Sequence, residues 1–177
     1  MPPDDPHFRF AAPADLGELH ALIERAYRGD SARQGWTHEA DMLSDPRTDA
    51  HTLSAIVADP RSRLLLALID SRILGCVQIS DTGEGNAYLG LLCVDPALQS
   101  SGLGRHLITH AETQAQAVFG ARRMTMSAIE ARTELIAYYI RRGYTPTGRR
   151  LDFPIPLDPP LFMTELAKPL AQSRRDG

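Results

Sequence analysis

Apolar residues recur along this chain in two rhythms, and the points where one rhythm replaces the other mark its elements. Residues 88–94, YLGLLCV, form an apolar run of strand length. Asp95 and Pro96 end the run, because proline has no N–H to give a sheet. After Gln99-Ser100-Ser101-Gly102-Leu103-Gly104 the spacing turns helical, with Leu103, Leu107, Ala111, Ala115 and Val118 on one face. The order is strand, short glycine-rich turn, helix, and the rest of the chain is arranged around it.

On the N-terminal side, residues 7–11 alternate as a short edge strand. Pro13 opens a helix over 14–28 that gathers Leu16, Leu19, Ile23 and Ala26 on one face before Gly29 ends it. Thr37 caps a short helix to residue 43, with Glu39 and Asp41 at its favourable end, and residues 52–58 form another helix before Pro60. Residues 63–69 and 72–80 are apolar runs joined by Asp70-Ser71 as a hairpin, and 81–86 is a glycine-containing turn. On the C-terminal side, Gly120 stops the central helix. Residues 123–128 (RMTMSA) make the next strand, parallel to 88–94 because a helix separates them. Residues 134–142 are helical with Gly143 as a left-handed cap, and 144–151 and 161–166 are strands flanking PIPLDPP. Antiparallel strands therefore come first, one βαβ unit lies in the middle, and antiparallel strands come last, in a single domain over residues 1–177.

Composition narrows the function classes. A chain of 177 residues that is 43% hydrophobic and 23% charged suits one packed domain. A net charge of −3 without a basic block argues against nucleic acid or an anionic membrane as partner. Cys76 and Cys93 sit in apolar strands, so buried thiols in a reducing compartment are expected. With no CxxC and no clustered His and Cys, no metal site is expected. Neither a signal peptide nor a membrane-spanning run is present in this sequence, and a cytoplasmic location is the expectation.

The glycine-rich turn carries the candidate chemistry. The first turn of a helix offers N–H groups without intrahelical partners and the positive end of its dipole, and small residues let an anion reach them. A turn built only for tightness would use the same residues. A P-loop would need Lys-Ser or Lys-Thr where this chain has Arg105-His106, and a dinucleotide fingerprint would need glycine where it has Leu107. The stretch resembles the acetyl-CoA site of the GNAT superfamily of N-acetyltransferases, V-x-P-x-x-Q/R-x-x-G-x-G/A, with Val94, Pro96, Gln99, Gly102 and Gly104 in place.

That resemblance implies the α/β (α+β) acyl-CoA N-acyltransferase (GNAT) fold, a mixed central sheet of about seven strands with helices on both faces. It implies acetyl-CoA as co-substrate, its diphosphate held by the backbone of Gln99, Ser100, Ser101, Gly102, Leu103 and Gly104, with Arg105 adding charge. Backbone N–H groups near Leu92 and Val94 would polarise the thioester carbonyl. Pantetheine would lie where the strand after the helix diverges, and Gly90 suits a bulge that begins the divergence. The family's second signature places a tyrosine five residues before the aromatic of a Gly-Tyr pair, which is Tyr139 before Gly143-Tyr144. A phenol, with a reference pKa about 10 against about 8.5 for a thiol, is a serviceable proton donor to the leaving thiolate. Neighbouring Tyr138 reads as a core aromatic. Many members carry Asn where this chain has Arg132, which would meet a CoA phosphate or pair with Glu130 or Glu134.

Glu130 and Glu39 are the candidate general bases, each equally readable as a solvated charge. Tyr27, Arg28, Ser31 and Trp36 are candidate acceptor-binding residues. The expected activity is acetyl transfer to the primary amine of a small-molecule acceptor by direct attack. The alternatives are a non-catalytic acyl-CoA-binding module that regulates a partner, or a nucleotide-binding domain using the same helix end. Cys93, beside the donor site, also raises covalent catalysis, which an apolar strand disfavours. The late proline-rich loop and edge strands make a homodimer contact a further candidate.

Overall fold

The computed structural model describes residues 5–27, 49–98, 101–153 and 158–171. Among the described residues seven strands form one sheet: β1 (His7–Phe10), β2 (Ser62–Ile69), β3 (Arg72–Gly83), β4 (Asn86–Val94), β5 (Arg123–Ile129), β6 (Thr145–Asp152) and β7 (Phe162–Pro169). Their spatial order is β1-β2-β3-β4-β5-β7-β6, so β7 inserts between β5 and β6. Among the described residues only the β4–β5 pair is parallel, as a strand–helix–strand passage requires. All the other neighbours are antiparallel.

Among the described residues, helices α1 (Leu16–Tyr27), α2 (Ala50–Ala58), α3 (Leu103–Phe119) and α4 (Thr133–Arg141) cover the sheet. Burial divides into two cores, one on each face. Leu19, Leu22 and Ile23 of α1 and Leu53 of α2 pack with Leu64, Leu66, Leu68, Cys76 and Cys93 of the strands. Leu107, Ile108, Ala111 and Ala115 of α3 and Tyr139 of α4 pack on Leu65, Val77, Leu89, Met124 and Met126 on the other side. Alternation along β4 sends Ala87 and Leu89 to the α3 side and Tyr88 to the α1 side. The mixed sheet is the one expected from the order of elements, and the helices on both of its faces are what the resemblance to the GNAT superfamily implied.

Local chemistry moves some boundaries. The helix expected from residue 14 begins instead as a 3-10 turn, Pro13–Asp15, where the Asp15 carboxylate accepts from the Ala12 N–H at 2.8 Å. The helix expected from residue 52 starts at Ala50, because the Asp49 carboxylate caps it by accepting from the Thr52 N–H at 2.7 Å. The expected 81–86 turn contracts to Glu84-Gly85, since β3 runs on to Gly83 and β4 begins at Asn86. Gly120 and Gly143 take left-handed conformations, with φ +63 and +100, at the ends of α3 and α4. The short helix expected between residues 37 and 43 lies outside the described residues.

Candidate active site

The site begins where β4 and β5 separate. Their parallel pairing covers only Asn86–Tyr88 against Arg123–Thr125, while β5 continues to Ile129 paired with β7 alone. Beyond Tyr88 the β5-facing edge of β4 has no strand laid against it among the described residues. On its other edge, Gln78 opposes Gly90 and Cys76 opposes Cys93, so Leu91 and Leu92 stand against Val77 alone. This is the expected β-bulge, displaced by one residue from Gly90. Leu91 carries the left-handed backbone, φ +49, a conformation that costs a branched side chain about 1 kcal/mol or more. Gly90 serves a different purpose. The Tyr88 ring lies over it, 3.1 Å from where a Cβ would stand.

The separation opens a cleft of about 660 Å³ between β4, β5, the first turn of α3 and one face of α4. Leu92 and Val94 line it, as do Ser101, Gly102, Gly104 and Arg105 of the turn and Arg132, Tyr138, Tyr139, Arg141 and Arg142 of the α4 region. Gly102 is the residue before α3 and has φ +88, conformationally open to glycine and strained for other residues. The Arg105 guanidinium folds back over this turn, 3.9 Å from the position of a Gly102 Cβ. Leu103 turns its side chain into the α3-side core, which leaves its backbone to face the turn. Gln99 and Ser100 lie outside the described residues.

Asp95 fixes the approach to this turn, and its role was not apparent in the sequence beyond ending the strand. It is buried, accepts from the Ala97 N–H at 3.0 Å, and its own N–H donates to the Leu74 carbonyl at 2.8 Å. Arg25 of α1 and Arg72 of β3 reach its carboxylate at 3.4 and 3.6 Å. The Asp-Pro-Ala run after an apolar strand is the available signal, because a short acceptor there can cap the turn that follows.

The two tyrosines of α4 differ from the expectation for one of them. Tyr139 lines the cleft, is 5% exposed, and packs edge-on to Tyr144 with ring centroids 6.0 Å apart. Tyr138, read as the core aromatic, is the less buried of the pair. Its hydroxyl lies 3.2 Å from where a Gly104 Cβ would stand, and the Arg142 guanidinium stands 4.9 Å over its ring. Burial pushes the Tyr138 phenol up, against the opposing pull of Arg142, Arg105 and Arg141. Arg141 and Arg142 were missed, although their spacing from Leu135 and Tyr138 puts them on or beside the same helical face.

Of the two candidate bases, only Glu130 falls among the described residues. Glu130 is exposed at the end of β5 in a two-point pair with Arg150, at 2.7 and 3.3 Å, and is not part of the lining. Glu39, Arg28, Ser31 and Trp36 lie outside the described residues, and Tyr27 is the last residue of α1. Cys93 is buried, with its thiol donating to the Leu22 carbonyl at 3.8 Å. Burial, followed by the neighbouring Cys76, pushes that thiol well up, so a reactive thiolate is disfavoured. Among the described residues no cluster of three or more His, Cys, Asp and Glu is placed to hold a metal ion.

No curated protein matches the chain in sequence. Solved structures do match in fold. The ribosomal-protein-S18-alanine N-acetyltransferase of Escherichia coli superposes with a TM-score of 0.73 at 16% identity, over 97% of this chain and 98% of that one. A protein of Salmonella typhimurium solved with its cofactor acetyl-CoA gives 0.70 at 18% identity, over 98% and 99%. An acetyltransferase of the GNAT family from Streptococcus pneumoniae gives 0.67 at 21% identity, over 94% and 100%. These likenesses establish the acyl-CoA N-acyltransferase fold. The sequence model of the acetyltransferase (GNAT) family matches residues 18–144, from α1 through the aromatic that follows Gly143. That span is well over half of the chain and holds most of the cleft, and by it this protein belongs to the GNAT family of acetyltransferases.

Proposed function

We propose that this protein uses acetyl-CoA to acetylate the primary amine of a small-molecule acceptor by direct attack. One observation supports the reading: β4 and β5 separate beside a left-handed glycine turn, so a single cleft runs from the first turn of α3 along an edge of β4 that no described strand covers. The chemistry of the lining fits a polyanionic thioester. Arg105, Arg132, Arg141 and Arg142 supply positive charge, and no carboxylate of the described residues lines the cleft. Acetyl-CoA supplies the activated acetyl group.

The protein's share is positioning and proton supply. Amides in the first turn of α3 have no intrahelical partner and suit the diphosphate. The β5-facing edge of β4 beyond Tyr88, where no described strand is laid, suits a pantetheine arm paired as a strand would be, with backbone donors toward the thioester oxygen. Tyr139, which lines the same cleft with Tyr138 and Arg142, is the candidate acid for the departing sulfur.

Thiol release with acetyl-CoA over a panel of primary amines tests this reading. Tyr139→Phe is expected to lower kcat by about 10²- to 10⁴-fold while calorimetry finds acetyl-CoA affinity nearly unchanged. An unaffected Phe variant removes the acid assignment. The absence of a carboxylate in the described lining favours a second reading, a non-catalytic acyl-CoA-binding module. Tight CoA binding without turnover of any amine would establish that one instead.

A further inference from the structure

The cleft passes through the sheet, and its two sides differ in charge. The four arginines that line it among the described residues come from the first turn of α3 and from the α4 region, whose side chains pack on the α3-side core. The other side carries no charged lining group among the described residues. Tyr88 alternates with Ala87 and Leu89, and Ser127 with Met126 and Ala128, and those four neighbours belong to the α3-side core. Tyr88 and Ser127 therefore face the α1 side, where their hydroxyls lie 2.8 Å apart. This bond spans the two strands just past Tyr88–Thr125, the last backbone pair between them. The ring that carries the Tyr88 hydroxyl lies on bare Gly90, so both its plane and its tip are held.

On the acetyl-transfer reading, we infer that the Tyr88 hydroxyl, oriented by Ser127, receives the acceptor amine, which arrives in its neutral form. A cationic side suits the polyanionic donor, and a hydroxyl side suits an uncharged nucleophile. Tyr88 Oη accepts a hydrogen bond from one amine N–H, and the nitrogen lone pair is left to face the thioester carbon. The new N–C bond forms as the C–S bond breaks. The nitrogen sheds one proton to water and the sulfur gains one, so amine and thioester give amide and thiol. Tyr88 touches the acceptor; Ser127 is a positioning residue that acts through Tyr88. The charged groups nearest in register are on β7 and β6: Glu165 lies opposite Ser127, and Thr147 and Arg149 hold its carboxylate at 3.0 and 3.4 Å. On β3, uncharged Ser80 stands opposite Tyr88.

The test compares pH profiles for benzylamine, glycinamide and trifluoroethylamine, whose ammonium ions differ in acidity. With a neutral amine as reactant, log kcat/KM rises with unit slope up to the pKa of each amine, so the three profiles are displaced by their pKa differences. Tyr88→Phe keeps the ring on Gly90 and is expected to lower kcat/KM for the amine by about tenfold, with KM for acetyl-CoA unchanged. Ser127→Ala is expected to act in the same direction. Added to Tyr88→Phe it brings no further loss, and Ser127→Thr restores activity. A pH-independent region below the amine pKa that Glu165→Gln or Glu39→Gln abolishes would identify an ionised base and overturn the inference. So would wild-type kinetics in Tyr88→Phe. Turnover of none of the amines would instead overturn acetyl transfer to amines, and this inference would fall with it.

Discussion

Gly102 has a conformation that other residues adopt only at a cost, and it has room for a side chain. With φ +88, an added Cβ would meet nothing closer than the Arg105 guanidinium at 3.9 Å. Alanine at this position would therefore pay in backbone strain and not in collision. Gly120, at the other end of α3, has φ +63 and nothing within 4 Å of an added Cβ. The two glycines form a matched pair on one helix, one at the cleft and one remote from its lining. Gly102→Ala and Gly120→Ala should each lose about 1–2 kcal/mol, or roughly 2–8 °C in Tm. Only Gly102→Ala should also weaken acetyl-CoA binding, because only that strain reaches the amides of the first turn. Calorimetric affinities of the two variants check this, and equal affinities would detach the turn from the donor site. Gly104 differs from both. It is squeezed between the Tyr138 hydroxyl at 3.2 Å and Val94 Cγ2 at 3.7 Å, so a small shift of a flexible ring would accommodate alanine.

At the scale of elements, carboxylates tie loops to strands at both ends of the α1 side. Asp95 joins the end of β4 to α1 and β3. Asp15 joins β1, the edge strand, to the start of α1: Arg9 reaches it at 2.8 and 2.9 Å, and the Ala12 N–H at 2.8 Å. The Arg9 hydrogen bond, more than the Ala12 N–H and the guanidinium charge, holds the Asp15 carboxyl below its ordinary value against the opposing effect of burial. A folded-state pKa below the unfolded one means that the contribution to stability is complete above the unfolded value, about 3.9. It fades as pH falls through the folded pKa. Wild type should therefore exceed Asp15→Asn in urea-unfolding free energy at neutral pH, and the gap should close as pH drops below about 4. A gap that stays constant down to the acid transition would mean that Asp15 acts by shape and not by charge. Arg9 is nearly half exposed, so solvent keeps the neutral-pH gap small.

Across the whole molecule, the sequence predicted well where one local rule suffices and poorly where two distant strands must meet. The parallel strands of the βαβ unit and the left-handed Gly143 follow from periodicity and from turn chemistry, which short windows carry. The Tyr88–Ser127 bond links residues 39 positions apart and depends on where the parallel ladder stops, and no window contains that register. The same limit applies to Glu130, a candidate base whose partner, Arg150 of β6, lies 20 positions away. The open ladder also has a consequence for the entire fold. Strand edges normally find partners, yet β4 past Tyr88 has no strand beside it among the described residues. A donor that lies along this edge would complete the sheet. At about a hundredfold excess over Kd it should add roughly 2.7 kcal/mol of stability, or about 5–11 °C in Tm. Amide exchange should slow most over residues 89–94 and the first turn of α3, and least at the β1–β2 edge remote from the cleft. Acetyl-CoA should produce this pattern and ATP should not, because ATP carries phosphates but no arm to pair with the strand. An equal shift with ATP, or protection that leaves residues 89–94 unchanged, would mean that the helix end alone binds and that the divided sheet is not the donor's channel.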